Sequence, residues 1–177
     1  MLQTIKRKLL FGNFSIIALL IANLILSLWL TSATQTESLI VRDEASRFAI
    51  KAKELQFATL QVQQWLTDIS ATRAAEGFDD GFDEAKQHAI SFEVLLGEFA
   101  QYYESKSDQR NIQRVSSIRV AFAEYYRVGQ EMAQAYIDEG PTAGNQLMKE
   151  FDPAAENINS EIDALVEYHV AALEAGV

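Results

Sequence analysis

Gln61, Trp65, Asp68 and Thr72 follow one another at intervals of four, three and four, which places them on one stripe of a helix. Gln64 stands beside that stripe and Arg73 follows it directly. An indole, a carboxylate, two amides and a guanidinium fork near a cleft suit a small carboxylate, amide or aromatic ligand. These six residues are the candidate ligand-binding set. The same residues admit a structural role, with Arg73 paired to Asp79, Asp80 or Asp83 and Trp65 packed between helices.

The two histidines are the other candidates for chemistry. His88 follows Glu84 by one turn; two ligands do not make a metal site, and a solvated ion pair is the plainer reading. His169 falls on an apolar helical seam, as a satisfied core histidine or as the axial ligand of a b-type haem held in a bundle. Di-iron bundles need paired Glu-x-x-His motifs, and the sequence has none. It also lacks a Gly-rich phosphate loop, a nucleophile elbow and a metalloprotease motif. A non-enzymatic protein without a cofactor is expected. With no cysteine, disulfides, thiolate metal sites and c-type haem attachment are excluded. The net charge is −10, and the part after residue 31 is more acidic still, because Lys6, Arg7 and Lys8 all precede it. Such a surface repels nucleic acid.

What must position these residues is helical. Eight glycines and two prolines cluster at a few places, and the stretches between them carry no breaker. The first soluble helix is predicted over about residues 34–75, with a seam of Ala45, Phe48, Ala52, Leu55, Thr59, Val62, Leu66 and Ile69, which puts Arg73 on the same seam. A turn over 76–81 follows, with Asp83 available to cap the second helix, which runs to about Ser105 with Ala85, Ala89, Phe92, Leu96, Phe99 and Tyr103 inward. The third helix runs to about Glu139 on Val115, Ile118, Phe122, Tyr125, Gly129, Met132 and Tyr136. Gly140-Pro141 ends it. Thr142 is the expected cap of the fourth, whose seam is Met148, Phe151, Ala155, Ile158, Ile162, Leu165, His169 and Ala172, with a kink or restart at Asp152-Pro153. Four similar seams joined by short turns predict an all-α, up-down-up-down four-helix bundle.

Leu9 to Leu30 carries no charge. As a helix it would span ~33 Å, enough for a hydrocarbon core. Lys6, Arg7 and Lys8 before it would hold the N-terminus inside, and Trp29 suits an interface. Asn13 and Asn23 are polar groups within the run, able to bond to a neighbouring helix or to be tolerated singly. The expected organisation is residues 1–8 in the cytoplasm, a transmembrane helix over 9–30 continuous with the bundle, and a periplasmic domain over 32–177. That is a single-pass inner-membrane protein. A cleaved signal peptide, with cutting near Thr31-Ser32-Ala33-Thr34, is the rival, but its apolar core would be only about 7–15 residues. The helical pattern continues to Val177, where a second span is expected to follow. Ile50, Phe57 and Leu60 lie roughly 150° from the core seam of the first helix. They form a candidate homodimer seam, or else scattered exposed apolar residues.

Taken together, these features resemble the periplasmic four-helix-bundle ligand-binding domains of methyl-accepting chemotaxis proteins and of kinases and cyclases that share such inputs. The stretch Val62 to Arg73 looks like a segment of the first bundle helix in one subgroup, and Gly81-Phe82-Asp83-Glu84-Ala85 and Gly140 to Asn145 resemble its turn-and-restart segments. The resemblance implies homodimers through the first helix, a small-molecule ligand near the distal end or at the dimer interface, and a signal passed along the fourth helix. It carries no ligand identity, because the family's aspartate-binding arginines have no counterpart here. A haem- or metal-bearing bundle and a partner-protein-binding bundle are the alternatives.

Overall fold

The computed structural model describes the backbone of residues 2–175 and the side chains of residues 19–29 and 41–175. The chain is all-helical, with α1 (Leu2–Thr72), α2 (Gly81–Ser105), α3 (Gln109–Asp138) and α4 (Pro141–Ala175) among the described residues. It divides into two compact units, Met1–Glu44 and Ala45–Ala175. The second unit opens on Ala45, the first residue of the α1 core seam.

Over residues 19–29 of the first unit the described side chains are exposed and mostly apolar, among them Leu19, Leu20, Leu24, Ile25, Leu28 and Trp29. Among the described residues no helix is long and apolar enough to cross a membrane. The stretch 19–29 covers about 16 Å as a helix, roughly half of a hydrocarbon core. This overturns the expectation of a single-pass inner-membrane protein with a periplasmic domain. Lys6, Arg7, Lys8, Asn13, the segment 31–34 and Val177 lie outside the described side chains.

The second unit is built on the 4–3 spacing of apolar residues. Every seam residue named above for α1 and α2 is buried except Ala45, which is half-buried. On α3 the seam is buried from Val115 to Met132, and on α4 from Phe151 to His169. Tyr136 and Met148 are half-buried and Ala172 is exposed. The buried residues of all four helices form one core. Phe92 stacks on Phe122 at 3.7 Å between ring centres, and Tyr125 stacks on Phe151 at 5.3 Å. The Tyr125 hydroxyl donates to the Thr59 carbonyl at 3.0 Å, which ties α3 to α1 and satisfies a buried phenol.

The helix ends correct the expected boundaries. α1 stops at Thr72 because Arg73 and Ala74 take left-handed backbone, φ 53° and 49°. Asp80, not Asp83, stands at the N-cap of α2; Asp83 and Glu84 lie in its first turn, where negative charge favours the helix dipole. Asp108 caps α3 by accepting from the Asn111 amide at 3.1 Å. Gly140, at φ 84°, closes α3 by donating its N–H to the Ala135 carbonyl at 3.1 Å. Pro141 then opens α4, so Thr142 is inside the helix and not its cap. The helix also runs through Pro153 without a restart. Proline removes one N–H there, while Phe151, Ala155 and Ile158 stay buried on either side and hold the register.

One end of the core is an aromatic layer around His169. The ring is 2% exposed. It lies 5.2 Å from Phe99, 5.9 Å from Phe48 and 5.1 Å from Tyr168, centre to centre. Burial keeps the Tyr103 phenol protonated by pushing its pKa up, and its hydroxyl is hydrogen-bonded to His169 Nε2 at 2.6 Å. Burial, with the charge of Arg114 adding to it, lowers the His169 pKa to about 4. The unfolded chain therefore takes up this proton before the folded one does. Stability linked to His169 is complete above the unfolded value of 6.5 and is lost as pH falls toward about 4. We expect the urea midpoint of the wild type to fall across that window relative to His169→Gln, which does not titrate, as followed by circular dichroism. Tyr103→Phe, which leaves a buried acceptor unpaired, should cost about 1–3 kcal/mol at neutral pH.

Candidate functional site

The opposite end of the core carries the candidate site, and its shape follows from how α2 starts. Gly81 is buried against α1: a Cβ built on it would sit 2.7 Å from Ile69 Cβ and 2.9 Å from the Trp65 carbonyl. Only glycine permits this approach. Because α2 begins so close to α1, the turn over 73–80 folds back beside the last two turns of α1. The Phe78 N–H donates to the Ala75 carbonyl at 2.8 Å, and the Thr72 hydroxyl lies 3.4 Å from the Phe78 carbonyl. Between them is a cleft of about 300 Å³ lined by Trp65, Asp68, Thr72, Phe78, Asp80 and Gly81, with Ile69 and Ala71 completing its wall.

Three of the six predicted ligand residues, Trp65, Asp68 and Thr72, thus share one cleft. The other three do not join them. Gln61 lies a turn before Trp65 and Gln64 directly before it, and neither lines the cleft; Gln61 Nε2 donates to Gln64 Oε1 at 3.1 Å. Arg73 is neither on the core seam nor paired with the turn aspartates. Its left-handed backbone swings the side chain toward α3, where Nε donates to the Tyr136 carbonyl at 2.9 Å and an Nη donates to the Ile137 carbonyl at 3.2 Å. These are last-turn carbonyls with no partner inside their own helix, and a cation there also complements the helix dipole. Arg73 is a capping residue for α3.

The cleft holds a conspicuous polar imbalance. Trp65 Nε1 is buried and has no hydrogen-bond partner. Buried donors are nearly always satisfied, so an unsatisfied one in a residue that lines a cleft marks a local imbalance. Asp80 adds a second unused group: although it stands at the N-cap of α2, its side chain makes no capping bond. Phe78, 62% exposed, sits over the opening. Sequence reasoning missed Asp80 and Phe78, which the turn brings back beside Trp65; their only signal was membership of a Gly- and Asp-rich turn.

Three hollows are larger. One of about 440 Å³ is walled by Asp83, Lys86, Gln130, Glu131 and Gln134 with Phe82 and Tyr126; the other two are mostly apolar. A groove of about 570 Å³ between α2 and α3, walled by Ile90, Val94, Phe122 and Tyr126, is mostly apolar. Another of about 400 Å³ involves Ile50 and Phe57 of α1 and Val170 and Leu173 of α4. Specific sites for small polar molecules need polar groups within an apolar wall; the cleft at Trp65 combines the two and is the one whose lining includes a residue with a buried, unpartnered donor. Neither histidine forms a ligand set. His169 Nε2 is already hydrogen-bonded to Tyr103, and the His88 ring stands edge-on to Phe57 at 6.3 Å. Among the described residues no group of three or more His, Asp or Glu side chains converges as a metal site would need.

Compared with known proteins, the chain matches no family model, no curated protein and no solved structure. The functional reading therefore rests on the geometry of the cleft.

The placement of Arg73 gives a direct expectation. Arg73→Ala should lower stability by about 1 kcal/mol, a melting shift of about 3 °C, by uncapping α3. Arg73→Lys should recover part of it, since it restores the charge but not the fork. Thermal denaturation of the three proteins checks this.

Proposed function

We propose that the chain is the ligand-sensing input region of a chemoreceptor-type signalling protein, built as an up-down-up-down four-helix bundle. The observation that carries this reading is the buried, unpartnered Trp65 Nε1 of a residue that lines a small cleft with Asp68, Thr72, Phe78 and Asp80. A module whose task was only structural would gain stability by satisfying or removing that donor.

The alternating direction of the helices is supported by which residues meet at each end. Phe48, Phe99, Tyr103 and His169 cluster at one. At the other, Gly81 meets Trp65 and Ile69, and Arg73 reaches the carbonyls of Tyr136 and Ile137. The short connections between helices fit the same topology.

A route for a signal is present in contacts. Thr72 borders the cleft; Arg73 beside it grips the end of α3; the Tyr136 ring packs where a Cβ on Gly144 would clash, and its hydroxyl donates to Asn145 of α4. A ligand that moved the 73–80 turn would act on α4 through this chain. The physical requirement is that ligand binds two arrangements of that turn with different affinity. The chemotaxis-receptor resemblance of the Val62 to Arg73 stretch agrees with this role, and we read the module as a binding protein and not as an enzyme.

Ile50, Phe57 and Leu60 point outward, 57–58% exposed, as a homodimer seam requires. In the proposed dimer, Ile50→Glu with Phe57→Glu should shift the sedimentation coefficient to that of a monomer while the helical signal is kept. A dimer that persists in this variant would reject the seam.

The sensing role is tested by a thermal-shift screen of the chain against a small-metabolite library. A ligand at about 100 times its Kd should stabilise the wild type by about 2.7 kcal/mol. The shift should vanish in Trp65→Ala and survive in Arg73→Ala, whose side chain lies outside the cleft. A library without a single stabilising compound would reject the proposal.

A further inference from the structure

Two of the larger hollows run into one another along α2 and α3, because Lys86, Tyr126 and Gln130 line both. The part of about 570 Å³ is apolar, with Ala89, Ile90, Val94 and Phe122 in its wall. The part of about 440 Å³ is polar, with Asp83, Glu131 and Gln134. An apolar trough with a polar end suits an amphiphile, and its volume falls in the range of small-molecule sites. Ile90 and Val94 are 50% and 59% exposed, so an apolar tail laid on them would be drawn out of water. Lys86 and Val94 are eight residues apart on α2, about 12 Å. The trough therefore accepts a tail of medium length.

The charges decide which head group the polar end takes. In the apolar part, Glu93 is paired with Arg119 at 3.2 Å, and Arg127 is held between Glu124 and Glu131 at 2.7 Å from each. Lys86 makes no ion pair or hydrogen bond among the described residues. The Tyr126 hydroxyl and the Gln130 amide, on half-buried residues, are likewise without a partner there. Burial holds the Tyr126 phenol in its protonated, donating form. An ammonium, a phenol and an amide thus meet where the two parts join, and all three can donate to one acceptor group. Glu131 is neutralised by Arg127. Asp83, a turn before Lys86, lines only the polar part and is the one carboxylate of the lining left to oppose an anion.

We infer that the α2–α3 groove binds an amphiphilic carboxylate of medium chain length, with its tail along Ile90, Val94 and Phe122 and its carboxylate on Lys86, Tyr126 and Gln130. The groove shares no residue with the cleft at Trp65. It is a second site and does not depend on the sensing role proposed for that cleft.

The test is titration calorimetry of the full 177-residue chain with octanoate. Octanoate should bind saturably at one site, and butyrate, with a shorter tail, about tenfold or more weakly. Octanol and octylamine, which keep the tail and change the head, should each bind about fivefold more weakly than octanoate. Lys86→Gln should weaken octanoate about fivefold and leave octanol unchanged. Val94→Asp, which breaks the apolar wall, should weaken both about tenfold. Asp83→Asn should tighten octanoate about twofold. All three substituted side chains are exposed, and circular dichroism melts establish that each variant is folded. Octanoate binding that is unchanged in Lys86→Gln or in Val94→Asp would overturn the assignment. So would octylamine binding more tightly than octanoate, or heats that never saturate, which are the mark of tails gathering on apolar surface at large.

Discussion

Phe48, Ala52, Leu55, Thr59, Val62, Leu66 and Ile69 form a stripe along α1 that must be removed from water, and α2, α3 and α4 each contribute an equivalent stripe to cover it. Hydrophobic burial fixes that the helices meet, but it is indifferent to small changes in how they end. The ends are set by specific chemistry: a phenol on a buried imidazole in the His169 layer, and a glycine and a guanidinium at the other end. The candidate site belongs to that second kind of determinant. It exists because Gly81 lets α2 start against Trp65, and because the left-handed residues Arg73 and Ala74 turn the chain sharply enough to bring Phe78 and Asp80 back over α1.

The two ends of the core treat their polar groups in opposite ways. In the His169 layer, Nε2 is satisfied by Tyr103 and the ring is enclosed by other rings, so the group stabilises a fixed arrangement at neutral pH. At the Trp65 end a buried donor is left open, one aspartate forgoes its capping bond, and a large aromatic side chain stands in solvent. The proposed sensing role rests on this concentration of left-handed backbone and unsatisfied groups in one place.

Periodicity made the interior legible. The 4–3 spacing picked out the seams of all four helices and failed only at their ends, at Ala45, Tyr136, Met148 and Ala172, where fewer neighbours remain to cover them. The same reasoning misplaced Arg73, because a helical wheel continued past Thr72 assumes right-handed backbone that the residue does not have. It likewise assigned the caps of α2 and α4 to Asp83 and Thr142, where a shift of a few residues brought in Asp80 and Pro141. Trp65, Asp68 and Thr72 were legible as a stripe because they lie within a regular helix. Asp80 and Phe78 were not, since their place beside that stripe depends on a turn whose path no local pattern specifies. The apolar run from Leu9 to Leu30 misled in another way: hydropathy alone implied a membrane span that the described helix segments do not provide.

The most direct test of the account is the side-chain N–H resonance of Trp65 in a nitrogen–proton correlation spectrum. The chain has two tryptophans, and Trp65→Phe identifies the peak. Addition of a compound that stabilises the chain in the metabolite screen should shift the Trp65 resonance saturably and leave Trp29 where it was. Stabilising compounds that all leave the Trp65 resonance in place would contradict the claim that this cleft is the sensing site.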